Sequence, residues 1–414
     1  MSRLKVKEKL EKLKIRVSNS SLRDILRTKN LSKKREETIA AAPESTADGT
    51  FAINAHARHL HPDSLRLVVR NIEERLAGGA KSYLLVADGG GTLPGFRAGQ
   101  YLSFRFTAGG SNVTRAYSIS SSPADAANGF YIVTVKRTPG GFAGNALLDS
   151  LKVGDRIVSS APEGNFFHEK LRDGDIILAI AGGSGITPFV SMAGAIRDGT
   201  EDFGLTVLYG AKDRGGLLYR EQLDRISAVC GRVRVVYVLE EEADADKGEE
   251  SGFITADIIR KYKPEGDCGV FVCGSAAMKR FIRGQLAELG IPSRLIRAEG
   301  SPFDGDLTEQ PGYPKTGGLP DTFPLTVRLG LGETVIEARR DEPLLVSIER
   351  AGIAAPSRCR SGECGWCRAK IVSGDVYVPP EYDVSRRRMD REFGYAHICC
   401  TFPLSPVTVE ICYT

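Results

Sequence analysis

Cys359-Arg360-Ser361-Gly362-Glu363-Cys364-Gly365-Trp366-Cys367 carries three cysteines at Cys-x4-Cys-x2-Cys spacing. That spacing lets one tight loop present three thiolates to a [2Fe-2S] cluster, with a fourth ligand supplied from a distant point in the chain. Three cysteines lie downstream, Cys399, Cys400 and Cys412, and these are the candidates for the fourth position. Zinc is the competing metal, but structural zinc sites usually use paired Cys-x2-4-Cys hooks, which this chain lacks. A [2Fe-2S] cluster moves one electron at a time, so the rest of the chain is expected to supply an electron source.

Around that loop, Phe323 to Thr414 has the size of one small α+β domain. Strands are expected at Leu325–Leu329, Thr334–Ala338, Ala369–Val372 and Val407–Ile411, with a helix at Leu344–Ala351 delivering the chain to the cysteines. Residues 301–322 hold four prolines and four glycines and read as a linker. Upstream, from about 173 to 300, strand and helix patterns alternate. Strands at Ile176–Ala181, Leu205–Tyr209, Val233–Leu239 and Gly269–Cys273 are separated by helices near 189–197, 220–228 and 255–261, and another follows near 277–289, which predicts a parallel sheet with helices on both faces. Between 51 and 172 the rhythm is short strands and glycine-rich turns without intervening helices: Leu65–Val69, Ser82–Val86, Tyr101–Phe106, Phe130–Val135 and Arg156–Ser159. That pattern predicts an antiparallel barrel.

Residues 1–50 differ from all of this. The chain of 414 residues has a net charge of +4, yet Met1–Thr38 alone carries 13 Lys plus Arg against 5 Asp plus Glu, so the basic character belongs to the N-terminus. Val6, Leu10, Leu13 and Val17 fall on one stripe of a helix whose other faces are rich in lysine. Ser21 and Asp24 are expected to cap a second helix, and residues 40–50 read as a linker. The arm either docks on its own domain or contacts an anionic membrane surface or an acidic partner; nucleic acid is not expected. No run approaches the roughly 18 apolar residues of a membrane span, and Met1–Val17 lacks the apolar core of a signal peptide, so a cytoplasmic location is expected. Nine cysteines without a disulfide framework fit a reducing compartment, with Cys230, Cys268 and Cys412 as buried or spare thiols.

Three further motifs carry chemistry. Arg115-Ala116-Tyr117-Ser118 lies on a barrel strand, where a guanidinium can meet a phosphate, a phenol can cover a flavin ring and a hydroxyl can reach the ring edge. Lys136-Arg137-Thr138-Pro139-Gly140-Gly141-Phe142-Ala143-Gly144 opens a short helix with glycines at its start, a seat for pyrophosphate. Gly182-Gly183-Ser184-Gly185-Ile186-Thr187-Pro188 stands where a parallel strand gives way to a helix, the place where α/β sheets bind dinucleotides, although it is not a Gly-x-Gly-x-x-Gly fingerprint. The last strand of that sheet ends at Cys273-Gly274, at the same crevice.

Taken in order, these motifs resemble the ferredoxin-NADP reductase superfamily, and the appended cysteine domain resembles a plant-type ferredoxin, as in phthalate dioxygenase reductase-like proteins. The resemblance covers roughly residues 60–414. It implies a multidomain fold: an antiparallel β-barrel flavin domain, an α/β parallel-sheet nucleotide domain and an α+β β-grasp ferredoxin domain. It implies flavin contacts from Arg115, Ala116, Tyr117, Ser118, Val135, Lys136, Gly141, Phe142, Ala143 and Gly144. Dinucleotide contacts are implied for Gly182, Gly183, Ser184, Gly185, Ile186, Thr187, Cys273, Gly274 and Met278, with Ser118 and Cys273 in catalytic positions. It favours Cys399 as fourth ligand beside Cys359, Cys364 and Cys367, because Cys399 stands four residues before Pro403 as the family's last ligand does. Two departures stand out: Ser275 occupies the position where the family usually has Pro, and Gly144 the position where FAD-binding relatives often have Ser or Thr.

The expected function is an oxidoreductase that takes electrons from NADH or NADPH into FAD, with FMN as the alternative, then into the cluster and on to an unidentified acceptor protein docking near the cluster loop around Trp366. Lys212 and Arg214 are candidates for holding a 2′-phosphate. The competing readings are an electron-transfer subunit without its own NAD(P)H oxidation and a non-catalytic metal-binding scaffold.

Overall fold

The computed structural model describes residues 19–41, 57, 61–241, 243, 248–266, 268–300, 306–315, 319–383 and 386–412. The chain divides into two units, Met1–Ala57 and Arg58–Thr414. Within the first, helix α1 spans Asn19–Ala40, so Ser21 and Asp24 lie inside a helix rather than capping one. The expected stripe at Val6–Val17 and most of the 40–50 linker fall outside the described residues.

The second unit opens with strands β1 (Leu65–Leu76), β2 (Ala80–Ala87), β3 (Tyr101–Ala108), β4 (Ser111–Ser118), β5 (Phe130–Lys136) and β6 (Arg156–Ser159) in one antiparallel sheet of order β4-β3-β6-β1-β2-β5. Ile119, just past β4, bridges to Val133 of β5, so the two edges meet and the sheet curls around a core that includes Leu67, Tyr83, Leu102, Phe104 and Tyr131. Helices α2 (Pro123–Ala127) and α3 (Ala143–Ser150) interrupt the strand rhythm. Helix α3 is the short helix expected after the glycine motif, whereas alternation could not show α2, which is short and depends on a capping box between Ser122 and Asp125.

After α4 (Lys170–Asp173) the chain changes character. Strands β7 (Ile176–Gly182), β8 (Gly204–Ala211), β9 (Val233–Leu239), β10 (Glu250–Ser251), β11 (Gly269–Cys273) and β12 (Ile296–Ala298) pair in parallel in the order β10-β9-β8-β7-β11-β12. Helices α5 (Thr187–Arg197) and α6 (Arg220–Val229) cover one face through Phe189 and Leu223, while α7 (Ala256–Tyr262) and α8 (Ala276–Glu288) cover the other through Ile259, Ile282 and Leu286. Because both faces are covered, β7 and β11 read as continuous apolar runs. Strand order reverses between β7 and β11, which places the ends of Gly182 and Cys273 at the switch point where such sheets take ligands. A seam joins this sheet to the barrel. Tyr219 sends its hydroxyl into the barrel, 2.9 Å from Ser82 Oγ and 2.9 Å from Ser120 Oγ, and also bonds Thr134.

The C-terminal part contains a five-stranded mixed sheet of order β14-β13-β19-β15-β17, built from β13 (Thr322–Leu329), β14 (Gly332–Arg339), β15 (Arg368–Ser373), β17 (Tyr395–His397) and β19 (Val407–Ile411), with β13 and β19 parallel. A small pair, β16 (Val376–Tyr377) and β18 (Phe402–Pro403), flanks it, and α9 (Leu344–Arg350) packs Leu344, Leu345 and Ile348 into its core. Two short helices, α10 (Pro380–Asp383) and α11 (Arg388–Glu392), precede β17. The stretch expected as a bare linker contributes to packing: Leu307 and Tyr313 are buried, and Tyr313 meets Tyr377 edge-on. Proline and glycine content sets backbone freedom but says nothing of which aromatic finds a neighbour. No helix among the described residues is long and apolar enough to cross a membrane.

Candidate functional site

A cavity of about 740 Å³ lies where the three sheets converge, lined among others by Tyr101, Arg115, Ser118, Glu299, Cys359 and Arg360. Its volume falls within the range of cofactor sites. Strand β4 supplies the barrel wall. Ser118, at the end of that strand, donates from Oγ to Glu299 Oε1 at 3.0 Å, and Cys273, at the end of β11, donates from Sγ to Glu299 Oε2 at 2.7 Å. One carboxyl group thus joins the hydroxyl and the thiol expected in catalytic positions. Burial pushes the Glu299 carboxyl above its ordinary value, and burial together with Glu299 raises the Cys273 thiol, so both favour their neutral forms. Glu299 was not among the residues singled out from sequence. It follows β12, a three-residue strand, and carries no local pattern that separates it from other glutamates.

The next residue explains how close the parts lie. A Cβ on Gly300 would stand 2.4 Å from Ser361 Oγ and 2.7 Å from Glu363 Oε1, so only glycine lets the strand end touch the cluster loop. Glu363 is pushed up to about 7, chiefly by burial.

Arg115 turns toward the C-terminal domain: Nη1 lies 3.3 Å from Glu349 Oε2 on α9, and Glu349 Oε1 accepts from Arg360 Nη1 at 2.7 Å. Burial, helped by the nearby Arg360, lowers the Arg115 pKa to about 10. Tyr117 packs its ring on Phe104 at 5.4 Å, and a Cβ on Gly144 would stand 3.6 Å from its hydroxyl. The glycine turn at 140–144 is held to its helix by Asn145, which accepts from Thr138 N at 3.1 Å and donates to Thr138 O at 2.9 Å. Phe142 projects outward, 53% exposed. Lys136, at the end of β5 next to Val135, reaches the dinucleotide loop: its Nζ would be 3.2 Å from a Cβ on Gly183.

That loop is a single 3-10 turn, Gly183–Ile186, before α5. Thr187 Oγ1 donates to Ser184 O at 3.0 Å, so its hydroxyl is committed to the turn. A Cβ on Gly185 would lie 2.2 Å from Cys273 O, and one on Gly182 2.1 Å from Met278 Sδ; these glycines let the turn close on the end of β11 and on α8. Ser275, in the usual proline position, adopts φ −60°, within proline's range, and its side chain accepts from Met278 N. It caps α8, which accounts for the departure in physical terms.

The cysteine loop turns on Arg360, Gly362 and Gly365, all with positive φ. Cys359 Sγ accepts from the backbone N–H of Ser361 and of Cys364, each at 3.4 Å. Cys359 faces Cys364, Cys399 faces both Cys367 and Cys400, and Gly362 N–H points at Cys399. Cys400, facing Cys399, also donates to His397 O at 3.2 Å. Three thiols on a loop whose N–H groups are aimed at sulfur, with further thiols beside them, fit a two-iron cluster. Trp366 lies beneath Arg358, whose guanidinium carbon sits 3.5 Å from the ring centroid and which also pairs with Glu163 of the barrel.

Comparison with known proteins agrees with this geometry. Residues 69–168 match the oxidoreductase FAD-binding domain, 179–284 the oxidoreductase NAD-binding domain and 330–404 the 2Fe-2S iron-sulfur cluster binding domain. The ferredoxin reductase component of 3-ketosteroid-9-alpha-monooxygenase from Mycobacterium tuberculosis is 31% identical over 329 residues, covering 77% of this chain and 85% of that protein. The glycine betaine monooxygenase reductase subunit of Chromohalobacter salexigens is 25% identical, covering 76% and 87%. In fold, phthalate dioxygenase reductase superposes with a TM-score of 0.59 at 23% identity, covering 84% of this chain and 98% of that one. The chain therefore belongs to the family of ferredoxin reductase components that join FAD-binding, NAD-binding and 2Fe-2S domains, and is an NAD(P)H-dependent reductase that passes electrons through FAD and a [2Fe-2S] cluster to an acceptor protein.

Proposed function

We propose that the acceptor is the oxygenase component of a multicomponent monooxygenase, with this chain as its reductase in the cytoplasm. The observation that carries the reading is the Glu299–Gly300 junction, which ties the hydride-transfer groups to the cluster loop within two residues. The monooxygenase reductases among the relatives supply the acceptor class.

When bound, the flavin takes a hydride and releases electrons singly, and the cluster carries one electron at a time. The chain's own residues set the geometry. Arg115, Ala116, Tyr117 and Ser118 on β4, Val135 and Lys136 on β5, and the 141–144 turn hold the flavin. Gly182–Thr187 and Gly274 admit the dinucleotide backbone, with Met278 as their neighbour. Cys273 and Ser118, both fixed by Glu299, flank the reacting centre. Cys359, Cys364, Cys367 and Cys399 hold the cluster.

Anaerobic mixing of the flavin- and iron-loaded chain with NADH is expected to bleach the flavin band first and the cluster band second. Adding the oxygenase component of 3-ketosteroid-9-alpha-monooxygenase or of glycine betaine monooxygenase should then reoxidise the cluster. Reduction of the chain with no transfer to either component would overturn the oxygenase assignment. A chain that NADH and NADPH both leave oxidised would overturn the reductase reading itself.

A further inference from the structure

Among the described residues, Tyr219 and Arg360 are the two other than glycine with positive φ, and Tyr219 stands at φ 61° and ψ 15°, just before α6. An L side chain is strained there, so a tyrosine in that position points to something its side chain does. The phenol crosses from the parallel-sheet domain into the barrel, where four buried hydroxyls meet: those of Tyr219, Ser82, Ser120 and Thr134. Tyr219 Oη lies 2.9 Å from Ser82 Oγ and 2.9 Å from Ser120 Oγ and also bonds Thr134 Oγ1, so the phenol is in use as donor and as acceptor. Arg75 of β1 closes over the ring, its guanidinium carbon 4.2 Å from the centroid, and donates from Nε to Ser82 Oγ at 2.8 Å.

On the barrel side this peg meets the strands that carry the flavin residues. Ser120 stands two residues after Ser118, and Thr134 immediately before Val135 and Lys136. On the other side, the neighbouring residue reaches the dinucleotide turn: Leu218 N–H donates to Tyr209 Oη at 2.9 Å, and Tyr209 Oη donates to Gly183 O at 3.0 Å. The Gly183 turn and the ends of β4 and β5 are therefore joined by a short relay whose side chains, Tyr209, Tyr219, Ser120 and Thr134, are all buried. Domains joined by modest polar seams move against one another by default. Buried hydrogen bonds with fixed directions restrict that motion at this point of the seam.

We propose that Tyr219 is a positioning residue for hydride transfer. Through Tyr209 on one side and Ser120 and Thr134 on the other, it fixes where the dinucleotide turn stands against the flavin strands. In that step a C–H bond of the dihydronicotinamide breaks and an N–H bond forms on the flavin; the dinucleotide is oxidised by two electrons and the flavin reduced by two. Such a transfer slows steeply with small errors of approach. Tyr219 acts on it through the strands and the turn that it joins. The proposal rests on the flavin and dinucleotide reading of those segments.

Tyr219→Phe removes the hydroxyl and keeps a ring under Arg75. The barrel hydroxyls retain partners without it, Ser82 with Thr134 at 2.9 Å and Ser120 with Ile132 O at 3.1 Å, so the variant is expected to fold and to keep its flavin and iron. The test is anaerobic stopped flow on the flavin- and iron-loaded full chain. At saturating NADH the limiting rate of flavin reduction should fall by about tenfold, while the NADH concentration at half-maximal rate stays within about twofold of wild type. The double variant Ser120→Ala/Thr134→Val cuts the same link from the barrel side and should slow the limiting rate similarly; combined with Tyr219→Phe it should bring no further loss. A Tyr219→Phe limiting rate within about twofold of wild type overturns the proposal. So does a loss carried by weaker NADH binding, loss of flavin from the variant, or full additivity of the two sets of substitutions. Should Tyr219→Phe fail to fold, the limiting rate and half-saturation of Ser120→Ala/Thr134→Val decide by the same criteria. A wild-type chain that NADH and NADPH both leave oxidised overturns the reductase reading instead, which is a distinguishable result.

Discussion

The cluster loop and the Glu299 junction are built on opposite plans. In the loop, one stretch from Cys359 to Cys367 supplies three thiols, its own N–H groups point at the sulfur of Cys359, and positive-φ residues set the turn. Cys399, the proposed fourth ligand, arrives from elsewhere. At the junction, a hydroxyl from β4, a thiol from β11 and a carboxyl after β12 meet although 181 residues separate Ser118 from Glu299. A site made of backbone donors and near neighbours is fixed by local chain geometry and tolerates movement of the domains around it. A site made of distant side chains exists only while barrel and parallel sheet are docked, so it reports on that docking.

Removing the one distant member of the loop gives the largest effect. Cys399→Ser is expected to abolish the two-iron absorption and the bound iron, because it takes one thiol from the Cys367–Cys399 pair. Cys400→Ser should retain both, since resemblance to the ferredoxin family places the fourth ligand at Cys399 and Cys400 can donate to His397 O instead. Iron content and visible spectra of the two purified variants check this, and the opposite pattern would exchange the roles of the two cysteines.

The same contrast explains what could be read from the amino-acid order. The Cys-x4-Cys-x2-Cys spacing, the apolar run at 176–182 and the glycines of 182–185 are local signals, and their chemistry follows from a few adjacent residues. Glu299 had none, because its importance comes from the parallel pairing of β11 with β12 and the crossing of β4, both tertiary facts. Lys212 and Arg214 looked like phosphate ligands because charge is visible in sequence; the partners Glu241 and Glu249 are not visible as partners until the strand ends are brought together. Arg115 likewise read as a lone flavin contact, while its pairing with Glu349 on the far domain needed the fold.

The second test breaks the junction and spares the loop. Glu299→Gln keeps the side-chain shape but replaces one acceptor oxygen with an amide, so Ser118 and Cys273 are no longer both held. Flavin reduction by NADH in stopped flow is expected to slow by roughly three- to tenfold, the kinetic equivalent of about 0.5–1.5 kcal/mol for one hydrogen bond between uncharged groups. Iron content and the cluster spectrum should stay as in the wild type. Loss of the cluster would mean that the two sites are not separable in the way their construction implies.

A long-range polar join that lies off the cavity sharpens the comparison further, because it should affect docking and leave chemistry alone. Asp198, at the end of α5, accepts from Ser122 Oγ of the barrel at 2.6 Å and from Arg197 Nε at 2.8 Å. Burial favours the protonated acid, but these two hydrogen bonds outweigh it and hold the carboxyl below its ordinary 3.8. A carboxyl whose folded pKa is depressed contributes stability that is fully present above the unfolded value and is lost as pH falls through the folded one. Asp198→Asn should therefore lower stability near neutral pH by about 1–2 kcal/mol, with the difference from wild type shrinking below about pH 4 as the wild-type carboxyl takes up its proton. Urea unfolding at a series of pH values measures that difference, while the flavin reduction rate in native buffer should change by less than about twofold. A rate loss as large as that of Glu299→Gln would show that seam contacts anywhere, and not the Glu299 carboxyl in particular, govern the junction.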